Sequence, residues 1–329
     1  MLTMTLTASA IICWLLLRTL IPQLRCRLLD LPNARSSHRQ PTPRGGGMAF
    51  VLIAAFASAM GLFLTGWARI SSAYAVALPV MALPLGLVGL LDDRHSLPAS
   101  WRYVVQLTTA LGLLLLSPLP IPWLALPLLL IAATAVINFT NFMDGLDGLV
   151  AGCMAITFTA ANLQQSAAWP LWALVGALLG FLLLNWSPAQ VFMGDVGSIF
   201  LGAVFAGLVL QARSWPDALA LLLVATPLLA DACLCVLRRL LAGQPVFQAH
   251  RLHLFQRLHQ AGWSHAQVAS LYIAATAALA IALLSAGLQA VLTLAALALA
   301  VGLWLDQHVA VPFAIALART DAHHLVVPE

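Results

Sequence analysis

The sequence predicts an all-α, polytopic membrane protein. Three observations carry that prediction. Hydrophobic residues make up 62% of the 329 and charged residues 8%, with a mean hydropathy of +0.97. No soluble domain with a single core needs so much apolar surface. The apolar residues fall in long runs separated by short polar loops, and a hydrocarbon core of about 30 Å needs about 20 apolar residues per helix. All fifteen basic residues are Arg, and they gather in a few of those loops. Despite a pI near 9.1, that pattern reads as membrane orientation and anion binding, with no nucleic-acid partner.

Eleven spans are expected: 4–24, 46–67, 72–91, 103–117, 121–142, 148–163, 169–186, 197–212, 216–237, 267–286 and 288–305. Ten remain possible, because the fourth is short and the last two could form a tight hairpin at Gly287. With eleven, parity puts the loops near 25–45, 92–102, 143–147, 187–196 and 238–266 on one side. Eleven Arg lie there, against Arg69 and Arg213 on the other. The polar loops are therefore expected in the cytoplasm and the N-terminus on the periplasmic side. No repeat, coiled coil or separate soluble domain is visible, so residues 1–329 read as one integral-membrane domain. Cys13, Cys26, Cys153, Cys233 and Cys235 lie mostly in apolar runs without CxxC spacing, against a disulfide framework or a zinc ribbon. No basic stretch precedes the first apolar run, so it reads as a retained helix.

The chemistry concentrates at the ends of these spans. Asn138-Phe-Thr-Asn141-Phe-Met-Asp144-Gly-Leu-Asp147-Gly148 puts two amides and two carboxylates where a membrane-depth helix stops. Unpartnered, each would cost several kcal/mol, so the cluster is a functional-site hypothesis by default. Asn138, Asn141 and Asp144 recur every three residues, roughly on one helical face, and their oxygens suit a hard cation such as Mg²⁺. Pro43-Arg44-Gly45-Gly46-Gly47 starts a helix, where free N–H groups can hold an anion. Asp92-Asp93 are adjacent carboxylates at a membrane surface, candidates for a general base or for metal and phosphate chemistry. In Val191-Phe192-Met193-Gly194-Asp195-Val196-Gly197-Ser198 the acid stands between glycines, with an aromatic nearby that can stack on a base. Asp231 lies inside the ninth span, two turns before Arg238 and Arg239, where structural pairing with an Arg competes with catalysis.

The longest polar loop holds His250, Arg251, His253, Arg257 and Gln260. His250, His253, Arg257 and Gln260 follow a spacing of three to four that predicts one face of a short amphipathic helix, with Leu252, Leu254, Phe255 and Leu258 resting on the membrane interface. His and Arg suit phosphate oxygens. Zinc is disfavoured, because no Cys or Glu completes a ligand set in this loop. His308, His323 and His324 read as a surface tail.

Five of these stretches, in this order, resemble the polyprenyl-phosphate N-acetylhexosamine-1-phosphate transferase superfamily (glycosyltransferase family 4, MraY/WecA-like). They are Pro43-Arg-Gly-Gly, Asp92-Asp93, Asn138-x-x-Asn141-x-x-Asp144-Gly-Leu-Asp147-Gly, Val191-Phe-Met-Gly-Asp195 and His250-Arg-x-His253. The last loop looks most like the WbpL/WbcO branch, which starts O-antigen chains, and lacks the triple-His segment of the MraY branch. The resemblance implies a Mg²⁺-dependent transfer of an N-acetylhexosamine 1-phosphate from a UDP-sugar to undecaprenyl phosphate in the bacterial inner membrane, with UMP released. Mn²⁺ is an allowed substitute. It implies Asn141 and Asp195 as metal ligands, and Asp92, Asp93 and Asp144 as the catalytic acids. Asp147 and Phe192 fall at the uracil. Arg102 stands where relatives carry a phosphate-binding Lys, and the planar fork of Arg changes the geometry there. Arg44 belongs to the binding set, and His250, Arg251 and His253 fall where the family grips the pyrophosphate and sugar. A homodimer is allowed but not required. The rival class is a secondary transporter, which places its polar residues in paired halves at the midplane. Here they cluster at helix ends without a repeat.

Overall fold

The computed structural model describes residues 2–32, 37–38, 40–65, 70–244 and 250–318. Arg35 and Arg39, two of the eleven Arg counted above, lie outside these, as do Arg69, His323 and His324. The helices are α1 (Leu2–Arg27), α2 (Met48–Thr65), α3 (Ile70–Met81), α4 (Leu83–His95), α5 (Ala99–Leu115), α6 (Leu126–Phe142), α7 (Leu149–Gln164), α8 (Trp169–Asn185), α9 (Asp195–Leu210), α10 (Trp215–Val224), α11 (Thr226–Leu241), α12 (Leu254–Gln260) and α13 (His265–His308). Among the described residues the strands are β1 (Leu29–Asp30) and β2 (Thr42–Pro43), paired antiparallel. The protein is thus all-α and polytopic.

Among the described residues, four helical stretches are each long and apolar enough to cross a membrane: Leu2–Arg27, Tyr74–His95, Trp123–Phe142 and His265–His308. The pair α10–α11, bent by 82°, makes a fifth if it is one span. Met48–Leu64, α7, α8 and α9 are apolar but shorter. The expected spans fall on these helices, on a broken pair or on part of one, except 103–117, which falls on α5, a helix outside both sets. The α10–α11 break has a local cause. Pro227 opens α11 and has no N–H to return to Leu223, so the Thr226 hydroxyl donates to that carbonyl instead (2.6 Å).

α13 is broken at Gly287, whose φ of 71° is left-handed. A straight helix would put Asp306 about 60 Å from His265. Instead Asp306 pairs with Arg238 of α11 (2.6 Å) and Arg257 of α12, so the chain turns back at Gly287 as a hairpin.

α8 and α9 are buried on nearly every side and form the centre of the bundle with α7. Small residues allow close crossings. A Cβ on Gly180 of α8 would sit 2.1 Å from the Ala10 carbonyl of α1. Phe56, Phe63, Leu128, Leu183, Ile281 and Trp304 face outward, a surface suited to lipid. One end of the bundle is closed by amide and hydroxyl clasps: Ser117 Oγ donates to Leu210 O (2.6 Å) and Gln165 Nε2 to Leu208 O (2.8 Å). The opposite end gathers loops from all five groups that parity placed together, and the site lies there.

Candidate active site

The loop before α9 is built by backbone pairing with the start of α2. Gly46 and Gly47 donate to the carbonyls of Phe192 and Met193, both at 2.9 Å, and Phe192 N–H donates to Pro43 O at 2.8 Å. This corrects the expectation of free N–H groups for an anion at two of the three glycines, Gly46 and Gly47. The glycines serve close approach instead, since a Cβ on Gly47 would lie 2.5 Å from Gly197 Cα.

Gly194 has φ +74°, and a Cβ there would strike Asp93 Oδ2 at 2.6 Å. That space lets Asp93 accept the first two N–H groups of α9, from Asp195 and Val196, each at 3.2 Å. Asp93, 4% exposed, therefore caps α9. Its neighbour does something else. Asp92 accepts Leu97 N–H (2.6 Å) and Arg102 Nη1 (2.5 Å), and the same Nη1 lies 3.8 Å from Asp195 Oδ2. Arg44 donates to the backbone carbonyl of Asp93 and lies 3.9 Å from its carboxylate.

A cavity of about 340 Å³ opens between these loops. Arg44, Asp93, Asn141, Asp144, Asp147, Phe192 and Asp195 all line it. Asn141 Oδ1 accepts Ser198 Oγ (2.9 Å), one turn into α9 from Asp195. Asp144 is pushed up to about 7, by burial first and then by the charges of Asp93 and Asp147. Asn138, one turn before Asn141 on α6, is not among the lining residues and exchanges amide hydrogen bonds with Gln106 (3.1 and 2.8 Å).

On the facing wall Asp147 Oδ2 accepts Ala189 N–H (3.2 Å) and stands 3.1 Å from His265 Nδ1. Burial alone would raise the Asp147 carboxyl. His265, Ala189 N–H and Ser187 outweigh it and hold the carboxyl below its usual range. His265 Nε2 lies 3.1 Å from Ser37 O, and the His38 ring meets Phe192 edge-on at 4.8 Å. Asn185 accepts from Gly148 N–H (3.1 Å) and donates to Val191 O (3.0 Å), tying the two motif loops together. Sequence reasoning assigned no role to His38, Asn185, Gln256 or His265, which also line the cavity. Nothing in the local spacing marks them. They arrive from four different loops or helix ends.

Asp92 and Arg102 sit one layer behind this cavity, and His250, Arg251 and His253 are not among its lining residues. The helix expected over 250–260 covers only α12. Asp231 sets where it starts, accepting Leu254 N–H (2.7 Å), Phe255 N–H (3.0 Å) and the Tyr272 hydroxyl (2.7 Å). Asp231 thus answers to backbone, Tyr272 and His253 Nδ1 (3.7 Å), while Arg238 turns to Asp306. Arg257, 2% exposed, is drawn inward by Asp306 and by the Leu252 and Val311 carbonyls (3.0 and 2.9 Å). Leu252, Phe255 and Leu258 are buried in protein and do not rest on a membrane interface. His250 stacks on His253 with centroids 4.9 Å apart. Burial takes His250 down to about 3. It acts the same way on His253, but the neighbouring Asp231 carboxylate and Cys235 reverse it, to about 9.

Residues 74–213 match glycosyl transferase family 4. The chain is 34% identical over 281 residues to the decaprenyl-phosphate N-acetylglucosaminephosphotransferase of Mycolicibacterium smegmatis, covering 71% of this chain and 69% of that one. It is 28% identical over 262 residues to the probable undecaprenyl-phosphate N-acetylglucosaminyl 1-phosphate transferase of Bacillus subtilis, covering 72% and 71%. With the phospho-N-acetylmuramoyl-pentapeptide-transferase of Halalkalibacterium halodurans it shares 31% over 306 residues, 80% of this chain and 91% of the other. On these matches the chain belongs to glycosyl transferase family 4.

Proposed function

We propose that the chain transfers an N-acetylhexosamine 1-phosphate from a UDP-sugar to undecaprenyl phosphate and releases UMP. The observation that supports this best is the single acidic cavity on which separate loops place Asp93, Asn141, Asp144, Asp147, Phe192 and Asp195. A phosphate attacking a diphosphate needs charge neutralisation and alignment more than covalent help. The amide of Asn141 and the carboxylate of Asp195 form an all-oxygen donor set suited to Mg²⁺, or to Mn²⁺ in its place. Bound there, the cation would offset charge on the diphosphate oxygens as UMP leaves.

The remaining roles belong to the chain. Asp93 fixes the start of α9 and so the direction of Asp195. Asp92 aims Arg102 at the acceptor phosphate, which is already ionised near neutral pH and needs no base. Arg44 steadies the donor phosphates. Asp144 shares the metal-side wall. Phe192 stacks on uracil while Asp147, oriented by His265, accepts its N–H. The His250–Arg251–His253 segment acts on the sugar through α12, whose Gln256 reaches the cavity.

For the sugar we propose GlcNAc or a 6-deoxy relative such as FucNAc or QuiNAc, in O-antigen initiation. The second reading is a GlcNAc transferase of broader use, and the names of the Bacillus and Mycolicibacterium relatives favour GlcNAc as the sugar. The clustered Arg loops support this cavity facing the cytoplasm; eleven spans as a single domain in a bacterial inner membrane remain our reading of the apolar runs and the family resemblance.

The test is UMP release by purified protein in detergent with undecaprenyl phosphate, Mg²⁺ and UDP-GlcNAc, UDP-GalNAc, UDP-QuiNAc or UDP-FucNAc in turn. Release that requires both lipid and metal is expected; preference for UDP-QuiNAc or UDP-FucNAc supports a 6-deoxy sugar, and preference for UDP-GlcNAc excludes it. Folded protein that neither releases UMP nor binds UDP overturns the proposal.

A further inference from the structure

The loop that begins at His250 lacks a cysteine of its own, but the fold brings one to it. α11 carries Cys235 into the wall against which residues 250–253 pack. Its Sγ and one ring nitrogen each from His250 and His253 lie within 4.8 Å of one another. Cys235 and His253 are 4% and 2% exposed. His253 Nδ1 is buried without a hydrogen-bond partner, and the carboxylate facing it, Asp231, stays at 3.7 Å. Asp231 is meanwhile fixed by two backbone N–H groups and a tyrosine hydroxyl.

We propose that Cys235, His250 and His253 form a Zn²⁺ site that pins the 250–253 segment to α11. It is independent of the magnesium chemistry proposed above. One thiolate and two imidazoles suit a borderline-soft divalent cation and not Mg²⁺, which takes oxygen ligands. Ligand distances of about 2.0–2.3 Å in a tetrahedron put donor atoms about 3.3–3.8 Å apart, so a contraction of about 1 Å at the widest edge closes the site. Asp231 is placed as the carboxylate behind a ligating histidine, the outer partner that fixes ring orientation. Together, thiolate and carboxylate balance the ion's charge. Three protein ligands leave one position for water.

The test uses full-length, tag-free protein in detergent, stripped of metal and titrated with Co²⁺, then with Zn²⁺. Wild type should bind about one Co²⁺ per chain, with a thiolate-to-cobalt charge-transfer band that Zn²⁺ abolishes and excess Mg²⁺ does not. Cys235→Ser should lose the band and bind more than about tenfold more weakly, the least that losing even an outer partner costs. Cys233→Ser, two residues earlier on the same helix, should keep both. No charge-transfer band in wild type, or an unchanged band in Cys235→Ser, overturns the site. The wild-type spectrum depends on no variant folding. Because the readout is absorbance, its failure and that of the transferase reading are separable.

Discussion

Replacing Asp93 with Asn asks whether this buried carboxylate works mainly by seating α9. Its two oxygens each accept one N–H, from Asp195 and Val196. Asn keeps the shape but turns one acceptor into an NH₂ group facing an N–H. One charge-assisted hydrogen bond is lost, about 1.5–3 kcal/mol, and with it a favourable charge at a helix N-terminus, about 0.3–1 kcal/mol. Relief of the cost of burying the charge, and of repulsion from Asp92 and Asp144, returns part of this, leaving a net loss of about 1 kcal/mol. At about 2 °C per kcal/mol for a large domain, the melting temperature in detergent should fall by about 2 °C. The catalytic loss should be larger. Asp195 is the first residue of α9, and a displacement near 1 Å costs about 10²-fold in rate. UMP release should therefore drop about a hundredfold in kcat with little change in KM for the UDP-sugar. The pH profile separates this from proton transfer. If Asp93 only holds α9, the residual activity keeps the wild-type profile; if it carries a proton, one limb disappears. Unchanged melting and unchanged kcat would refute the capping argument.

Four further outcomes are expected. Asn141→Ala and Asp195→Asn should each nearly abolish Mg²⁺-dependent UMP release while the protein still folds, and full activity in both would sink the metal assignment. Phe192→Ala should raise KM for the UDP-sugar roughly tenfold to hundredfold, since stacking on a base contributes about 1–3 kcal/mol; an unchanged KM places uracil elsewhere. Arg257→Met strands Asp306 with Arg238 as its remaining partner, so unfolding should be easier by about 3 kcal/mol, the lower end for a broken buried pair. Asp144 titrates near 7 in the folded state against an ordinary 3.8, so without divalent cation its stabilising contribution is complete below about pH 4 and lost as pH rises through about 7. Asp144→Asn should flatten that slope of melting temperature against pH, and an unaltered slope would assign it to another group.

The apolar runs made the helices legible, and span parity anticipated that the Arg-bearing and acidic loops would meet at one end. Both are one-dimensional signals, set by helix length and bilayer thickness. What stayed hidden depends on partners distant in sequence. A spacing of three to four cannot tell a helix from the residues before it, so His250 and His253 read as helical until Asp231 is seen to start α12 at Leu254. Three glycines before α2 look like an anion nest unless the Phe192 and Met193 carbonyls are known to take the N–H groups of Gly46 and Gly47. Likewise, Cys235 and His253 are 18 residues apart, and only the fold of the intervening chain makes them neighbours.

The same contacts explain how similar acids acquire different work. Asp92 is committed to Arg102 and a backbone N–H, Asp93 to the first turn of α9, and Asp147 to His265 and Ala189. Two cavity carboxylates are left without a close counter-charge. Asp195 has Arg102 only at 3.8 Å, and among the described residues Asp144 has acids and no cation as its charged neighbours. Crowded acids without a cation are costly where water is scarce. The cost falls most steeply if positive charge enters between Asp144, Asp195 and the Asn141 oxygen. Metal affinity and substrate phosphate affinity should then be coupled through those residues. Mg²⁺ should raise the affinity for UDP, and Asp144→Asn should weaken that enhancement without abolishing binding of the nucleotide base.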